Sequence, residues 1–307
     1  MRLFIASAAI VACAAASLCA GAAPPAAAAT SRSSGPASAA TSGPASMKLV
    51  WSDEFDYQGL PDPARWDYEE GFIRNNELQY YTRARKENAR VEGGCLIIEG
   101  RKEQYPNARH DPAAKGDWKK SPQSAQYTSA SLTTWKKADW LYGRIEMRAR
   151  LPRGKGVWPA FWMMGVNRDK VGWPACGEID IMEFVGKEPK YIHGTLHWAS
   201  AGDGKHASSG GKTELSEPWA DFHVYAVDWT PRRVDFLLDG KVYRSVELDQ
   251  SKMGQQLARP HYILVNLALG GSWGGAMDDS ALPQQYIIDY IRVYQSAPTS
   301  GPSTMAG

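Results

Sequence analysis

Excess charge is missing from this chain. Its 307 residues carry a formal net charge of +2 at pH 7, and no cluster of Lys and Arg marks a face for nucleic acid. Cysteine is scarce as well, with four in all. Cys13 and Cys19 lie in an N-terminal segment that reads as removable, which leaves Cys95 and Cys176. Two thiols do not make the framework that staples small secreted folds. They are expected as free buried thiols, with a bond between them permitted by export. A strongly apolar span is lacking too. The run "LFIASAAIVACAAASLCA" is Ala-rich and short of the ~20 strongly apolar residues that cross a bilayer. No long stretch keeps a helical period, which argues against a helical bundle.

What is present falls into four parts. Met-Arg, the apolar run and small-residue sites such as "AGA" and "AAA" read as an export signal over residues 1–29, with a membrane anchor as the alternative. Residues 30–46 are rich in Ser, Ala, Gly and Pro and read as a disordered linker. The tail, 297–307, has the same character. Between them, residues 47–296 are expected to form one unit, because all-β domains of this length are often undivided.

That unit is patterned as strands. In "YGRIEMRARL", Ile145, Met147, Ala149 and Leu151 take one face while Arg144, Glu146, Arg148 and Arg150 take the other. Such alternation marks a half-buried antiparallel strand. "RVDFLLDGKVYRSVEL" reads as two strands around Asp239-Gly240, the pair favoured by a type I′ turn. "HYILVNLAL" is continuously apolar, as a central strand is. Short strands separated by Gly, Pro and Asn point to an all-β sandwich or barrel. Aromatics are plentiful, with 12 Trp and 14 Tyr. Most are expected in the core. Trp158, beside Pro159, and Trp273, in a glycine-rich loop, are the best placed to stack on the C–H faces of a sugar.

One segment concentrates acids. In "GEIDIMEFVG", Glu178 and Asp180 share a face of a regular strand, and Glu183 falls on the opposite one. A β-bulge inserts one residue and resets the alternation. With Met182 as that residue, Glu183 returns to the acidic face. The glutamates then have Cα atoms roughly 13 Å apart, and two leaning side chains close the gap to roughly 6 Å. That gap is near the ~5–5.5 Å of retaining glycosidases and at the lower edge of the ~6.5–9.5 Å of inverting ones. Asp180, shorter and central, is placed to hydrogen-bond a glutamate and couple to its titration. Two other readings stay open on spacing alone: a solvated strand face, or a hard-cation site.

With its neighbours, this segment resembles the catalytic signature of glycoside hydrolase family 16 in its bulged form. "NNELQYYT", "YGRIEMRARLPRGKGVWPAFWMM", "GTLHW", "NLALGGSWGG" and "IDYIRVYQ" resemble segments of bacterial laminarinase-like members in the same order. The resemblance covers nearly all of the unit. It implies an all-β fold, a β-jelly-roll sandwich of two antiparallel sheets with a concave cleft. It also implies retaining endo-hydrolysis of β-1,3-glucosidic bonds. By position it implies Glu178 as nucleophile, Asp180 as its helper and Glu183 as acid/base. Asn75, Glu77, Trp158, Trp162, His197 and Trp273 match substrate-contacting positions. For His197, a hydrogen-bonded structural role is the alternative. Many members carry a calcium away from the cleft, and Glu54, Gly94 and Asp289 match its position. Strand-end hydrogen bonding is the other reading of the two acids. Two departures touch the cleft. Ser131 stands where relatives often carry a basic residue, and "GGSWGG" lacks the proline common after its Trp.

The expectation is therefore an exported, monomeric endo-β-1,3-glucanase, secreted or periplasmic. It would act on β-glucan polysaccharide with no cofactor for catalysis and no nucleic-acid partner. The rivals are the same chemistry on mixed-linkage glucan or a galactan, transglycosylation, and a non-catalytic glucan-binding protein. Non-catalytic relatives lose the glutamates that this chain keeps.

Overall fold

The computed structural model describes residues 47–248 and 252–296. The expected leader, linker and tail lie outside them. The described strands form two sheets, one of ten strands and one of seven. They pair antiparallel except for Gln79–Tyr81 with Ser124–Ser129, which run parallel. This is the expected jelly-roll sandwich. No described helix is long and apolar enough to cross a membrane.

The seven-stranded sheet carries the site. Its order is His206–Glu214, Tyr191–Ala199, Glu178–Glu183, Val157–Gly165, His261–Leu269, Ser131–Thr133 and Asp67–Tyr68. Alternation divides its two faces. Val157, Phe161, Met163, Ile179, Leu196, Ile263, Val265 and Leu267 enter the main core against the other sheet. Trp162, Met164, Tyr262 and Leu264 form a separate cluster on the opposite face. Each fully buried Phe or Ile contributes about 1.5–3 kcal/mol, so the register of this sheet is strongly specified. A slip of one residue would put the cleft side chains into the core.

The ten-stranded sheet is centred on Gln284–Ser296, between Gly143–Arg150 and Cys95–Pro106. Ile145, Met147, Ala149 and Leu151 are buried, as their alternation required. On the other face Arg144 pairs with Asp228 at 2.7 Å and Arg148 with Asp289 at 2.6 Å. The turn at Asp239-Gly240 has φ of 48° and 76° at its central residues. Both are positive, as a type I′ hairpin turn demands. Cys95 and Cys176 are not bonded to each other.

Candidate active site

The bulge in the acid strand is present. Against Val157–Gly165, Asp180 pairs with Trp162 and Met182 with Phe161, so Ile181 is the residue left over. On the other side, Asp180 pairs with Thr195 and Glu183 with His193. Ile181 and Met182 thus share one pairing position, and both side chains are buried in the core. The expected insertion was Met182. The structure makes it the pair Ile181–Met182, with Ile181 outside the register. The result for the acids is the same: Glu178, Asp180 and Glu183 all line one cavity.

That cavity encloses about 270 Å³ and opens on the exposed face of the seven-stranded sheet. Trp158, Ala160, Trp162 and Met164 form its floor beside the acids. Each glutamate is held by an indole. Trp158 Nε1 donates to Glu183 Oε1 at 3.0 Å. Trp173 Nε1 donates to Glu178 Oε2 at 2.9 Å. Asp180 is hydrogen-bonded to Glu178 and lies 2.8 Å from His197 Nε2. The donor atoms of Glu178, Asp180 and His197 lie within 4.8 Å of one another. Hydrogen bonds among them account for that closeness.

Three acids in one low-dielectric row cannot all be charged cheaply. Burial, then the Asp180 charge, push Glu178 up to about 8. Burial pushes Asp180 to about 7. Glu183 is raised well above the usual carboxylate range, by burial and then by Asp180, with the Trp158 hydrogen bond opposing. His197 lowers both glutamates. The row therefore keeps a proton at neutral pH, and Glu183, raised by burial and by both neighbouring acids, can hold it.

A loop from the first part of the chain closes one end. Asn75 and Asn76 both have positive φ, at 58° and 51°, a region that Asn enters more readily than most residues. This turn aims Glu77 inward. Glu77 accepts from Asn75 Nδ2 at 3.2 Å, Gln79 Nε2 at 2.8 Å and Tyr81 OH at 3.2 Å. The glycine loop packs directly on it. A Cβ on Gly270 would lie 2.6 Å from Leu78, and one on Gly271 would lie 2.9 Å from the Asn75 carbonyl. The sequence segments "NNEL" and "GGSW" are therefore two sides of one contact.

The cleft tryptophans play different parts. Trp162 is only 5% exposed, donates to Asn266 Oδ1 at 2.8 Å and lies under the Arg74 guanidinium at 4.9 Å. It is a floor more than a stacking platform. Trp158 is buried and braced edge-on by Trp273 at 5.4 Å. Trp273, partly exposed, sits at the Glu183 end and packs on His193. His197 is within the site, beside Asp180.

Sequence reasoning missed Arg74, Trp173, His206 and Asn266. Trp173 stood in the loop just before the acid strand, and its position next to Glu178 was the available signal. Arg74 also answers the first departure. Ser131 Oγ donates to Glu69 at 2.7 Å, and the same carboxylate is paired with Arg74. A cationic group at this end of the cleft thus comes from the Asn75 loop, with Arg168 lining the cavity as well.

The positions matched to calcium carry a different arrangement. Glu54 accepts from Arg292 through both oxygens, at 2.9 and 2.8 Å. Asp289 accepts from Arg148. Gly94 lies in the tight turn between Ala89–Glu92 and Cys95–Pro106, with φ of 79°. Both acids are engaged by guanidinium groups, which is the strand-end reading. The carboxylates here do not fit a cation.

Comparison with known proteins gives a consistent result. The model of the family "Glycosyl hydrolases family 16" matches residues 80–292. A beta-glucanase of Rhodothermus marinus is 45% identical over 261 residues, covering 81% of this chain and 85% of that protein. A glucan endo-1,3-beta-glucosidase of Cryptopygus antarcticus is 41% identical over 260 residues, covering 80% and 90%. Among solved structures, SCLam, a non-specific endo-beta-1,3(4)-glucanase, superposes with a TM-score of 0.72 at 40% identity, covering 83% of this chain and 93% of that one. On sequence, fold and site together, the chain belongs to glycosyl hydrolases family 16.

Proposed function

We propose that the protein cleaves internal β-1,3-glucosidic bonds of β-glucans with retention, through a covalent glycosyl-enzyme. One observation carries this reading. The bulge at Ile181–Met182 sets Glu178 and Glu183 on the same wall of the cleft, each held by a different indole. Glu178 attacks the anomeric carbon. Glu183, holding the proton, gives it to the departing oxygen. Glu183 then takes a proton from water, which releases the sugar from Glu178. Asp180 bonds to Glu178 and sets how the pair titrates. Two carboxyl groups and water complete the cycle, so no cofactor enters it. Asn75 and Glu77 wall one end of the cleft, and Trp273 follows the glycine loop that packs against them.

The names of the relatives favour β-1,3-glucan, and SCLam's broader description makes mixed-linkage glucan the nearest second substrate. The leader-like start supports export, and a monomer is the simplest working unit for an open cleft. Incubation with laminarin, lichenan and agarose, followed by mass spectrometry of the products, tests the reading. Oligosaccharides from laminarin are expected. Products from agarose alone, or glucan binding without cleavage, would refute it.

A further inference from the structure

A hydrogen-bonded path leaves the acid row sideways towards solvent. His197 Nε2 lies 2.8 Å from Asp180 Oδ2. Its other nitrogen, Nδ1, lies 2.7 Å from Nε2 of His206. The two rings stack, with centroids 4.9 Å apart and planes 24° apart. His206 is exposed at the start of the edge strand His206–Glu214. Trp173, the indole that holds Glu178, packs on its ring at 4.7 Å.

A contact of that length between ring nitrogens holds one proton. His197 faces a buried carboxylate, while His206 faces an indole and water. Burial and the neighbouring His197 both push the His206 imidazole down, so His206 offers a lone pair. The shared proton then belongs to His197.

We propose that His206 is a positioning residue for hydrolysis: its Nε2 accepts the Nδ1 proton of His197, fixes that ring with its Nε2 against Asp180, and through Asp180 favours ionised Glu178. The inference rests on the reading of Glu178 as nucleophile. Other charges face the pair. Glu178, Asp180 and Glu183 lie on the acid strand, and Arg74 acts on Glu178 from the loop before Asn75. Asp203 and Lys205, in the turn before His206, pair with each other at 3.0 Å. Arg244 reaches Ser209 of the edge strand at 3.4 Å. The segment before the acid strand adds Arg168, which lines the cavity, and the Cys176 thiol, which is buried.

Two variants separate the acceptor from the ring. His206→Gln keeps an acceptor and loses the ring that packs on Trp173. His206→Phe keeps a ring and loses the acceptor. In kcat/KM against pH on laminarin, the acid limb of His206→Phe is expected to move up by about half a pH unit or more. His206→Gln is expected to stay within about 0.2 unit of the parent. Histidine 15N spectra should show a hydrogen-bonded Nδ1 proton on His197 in the parent and in His206→Gln, and not in His206→Phe. Equal shifts in both variants, no shift in either, or the reverse order would overturn the proposal. The spectra need no substrate. A parent without glucanase activity would therefore refute the proposed function separately, while a parent lacking the Nδ1 proton would refute the role of His206.

Discussion

The acids of the two sheets are treated in opposite ways. On the seven-stranded sheet, Glu178, Asp180 and Glu183 face one another, and burial with mutual repulsion raises all three. On the ten-stranded sheet, Glu54 is clasped by Arg292, which lowers it, and Asp228 and Asp289 each have an arginine. Glu99 has two, Arg90 and Arg101. Glu146 and Asp53 are exceptions there, both buried and raised, with hydrogen bonds from Tyr290 and Tyr294 to the first and from Trp66 and Tyr57 to the second. The difference lies in the partner and not in the residue. Acids given arginines hold strands together. Acids given each other store a proton, at a cost in stability that the rest of the sandwich offsets.

The largest effect expected from breaking this contrast is on rate. Glu178→Ala and Glu183→Ala should each lower kcat by about 10³-fold or more. Melting temperature should not fall in either, because the row is a source of repulsion. A variant that kept a tenth of the parent rate would remove its residue from the proposed chemistry.

A smaller effect concerns stability against pH. An acid whose folded pKa lies above its unfolded value stabilises the fold below the unfolded pKa, and that contribution is lost as pH rises through the folded pKa. Glu178, raised to about 8, is such a group. Glu178→Gln should match the parent below the ordinary glutamate range and exceed it by about 1–2 kcal/mol near pH 8, after allowance for its open side. Denaturant melts at the two pH values measure this. A variant less stable than the parent at the higher pH would count against a repulsive row.

The paired acids should respond the other way. Arg292→Ala should cost about 1 kcal/mol, since the bidentate pair with Glu54 is partly exposed, and should leave kcat unchanged. Loss of rate without loss of stability would place this pair in the wrong category. The smallest effect is expected from calcium. A site filled at a hundredfold excess over its Kd would add ~2.7 kcal/mol. With both acids on arginines, chelator and added calcium should leave the melting temperature alike. A rise with calcium would show that carbonyl oxygens suffice to bind it.

Much of this contrast was legible in the sequence. Period-two patterns at Ile145–Leu151 and the Asp-Gly turn found the strands, because side-chain direction and turn chemistry are local. The acid row was legible through its broken spacing, since an extra residue between Asp180 and Glu183 has few other uses. Which residue stands outside the register was not, because Ile181 and Met182 are both apolar and both suit the core. Arg74, Asn266 and His206 were not legible either. They reach the site from loops and strands remote in sequence, and their roles depend on partners that only the packed sheets supply. The arginine partners of Glu54 and Asp289 escaped for the same reason, at sequence separations of 238 and 141 residues.

The central claim is that the bulged strand presents a nucleophile and an acid on one wall. Incubation with a 2-fluoro-β-glucosyl fluoride extended by a β-1,3-linked glucose, followed by peptide mass mapping, tests it most directly. The fluoride at C1 leaves as the adduct forms, and the fluorine at C2 slows its hydrolysis, so a covalent adduct should accumulate on Glu178. An adduct on Glu183 or Asp180 would contradict the assignment.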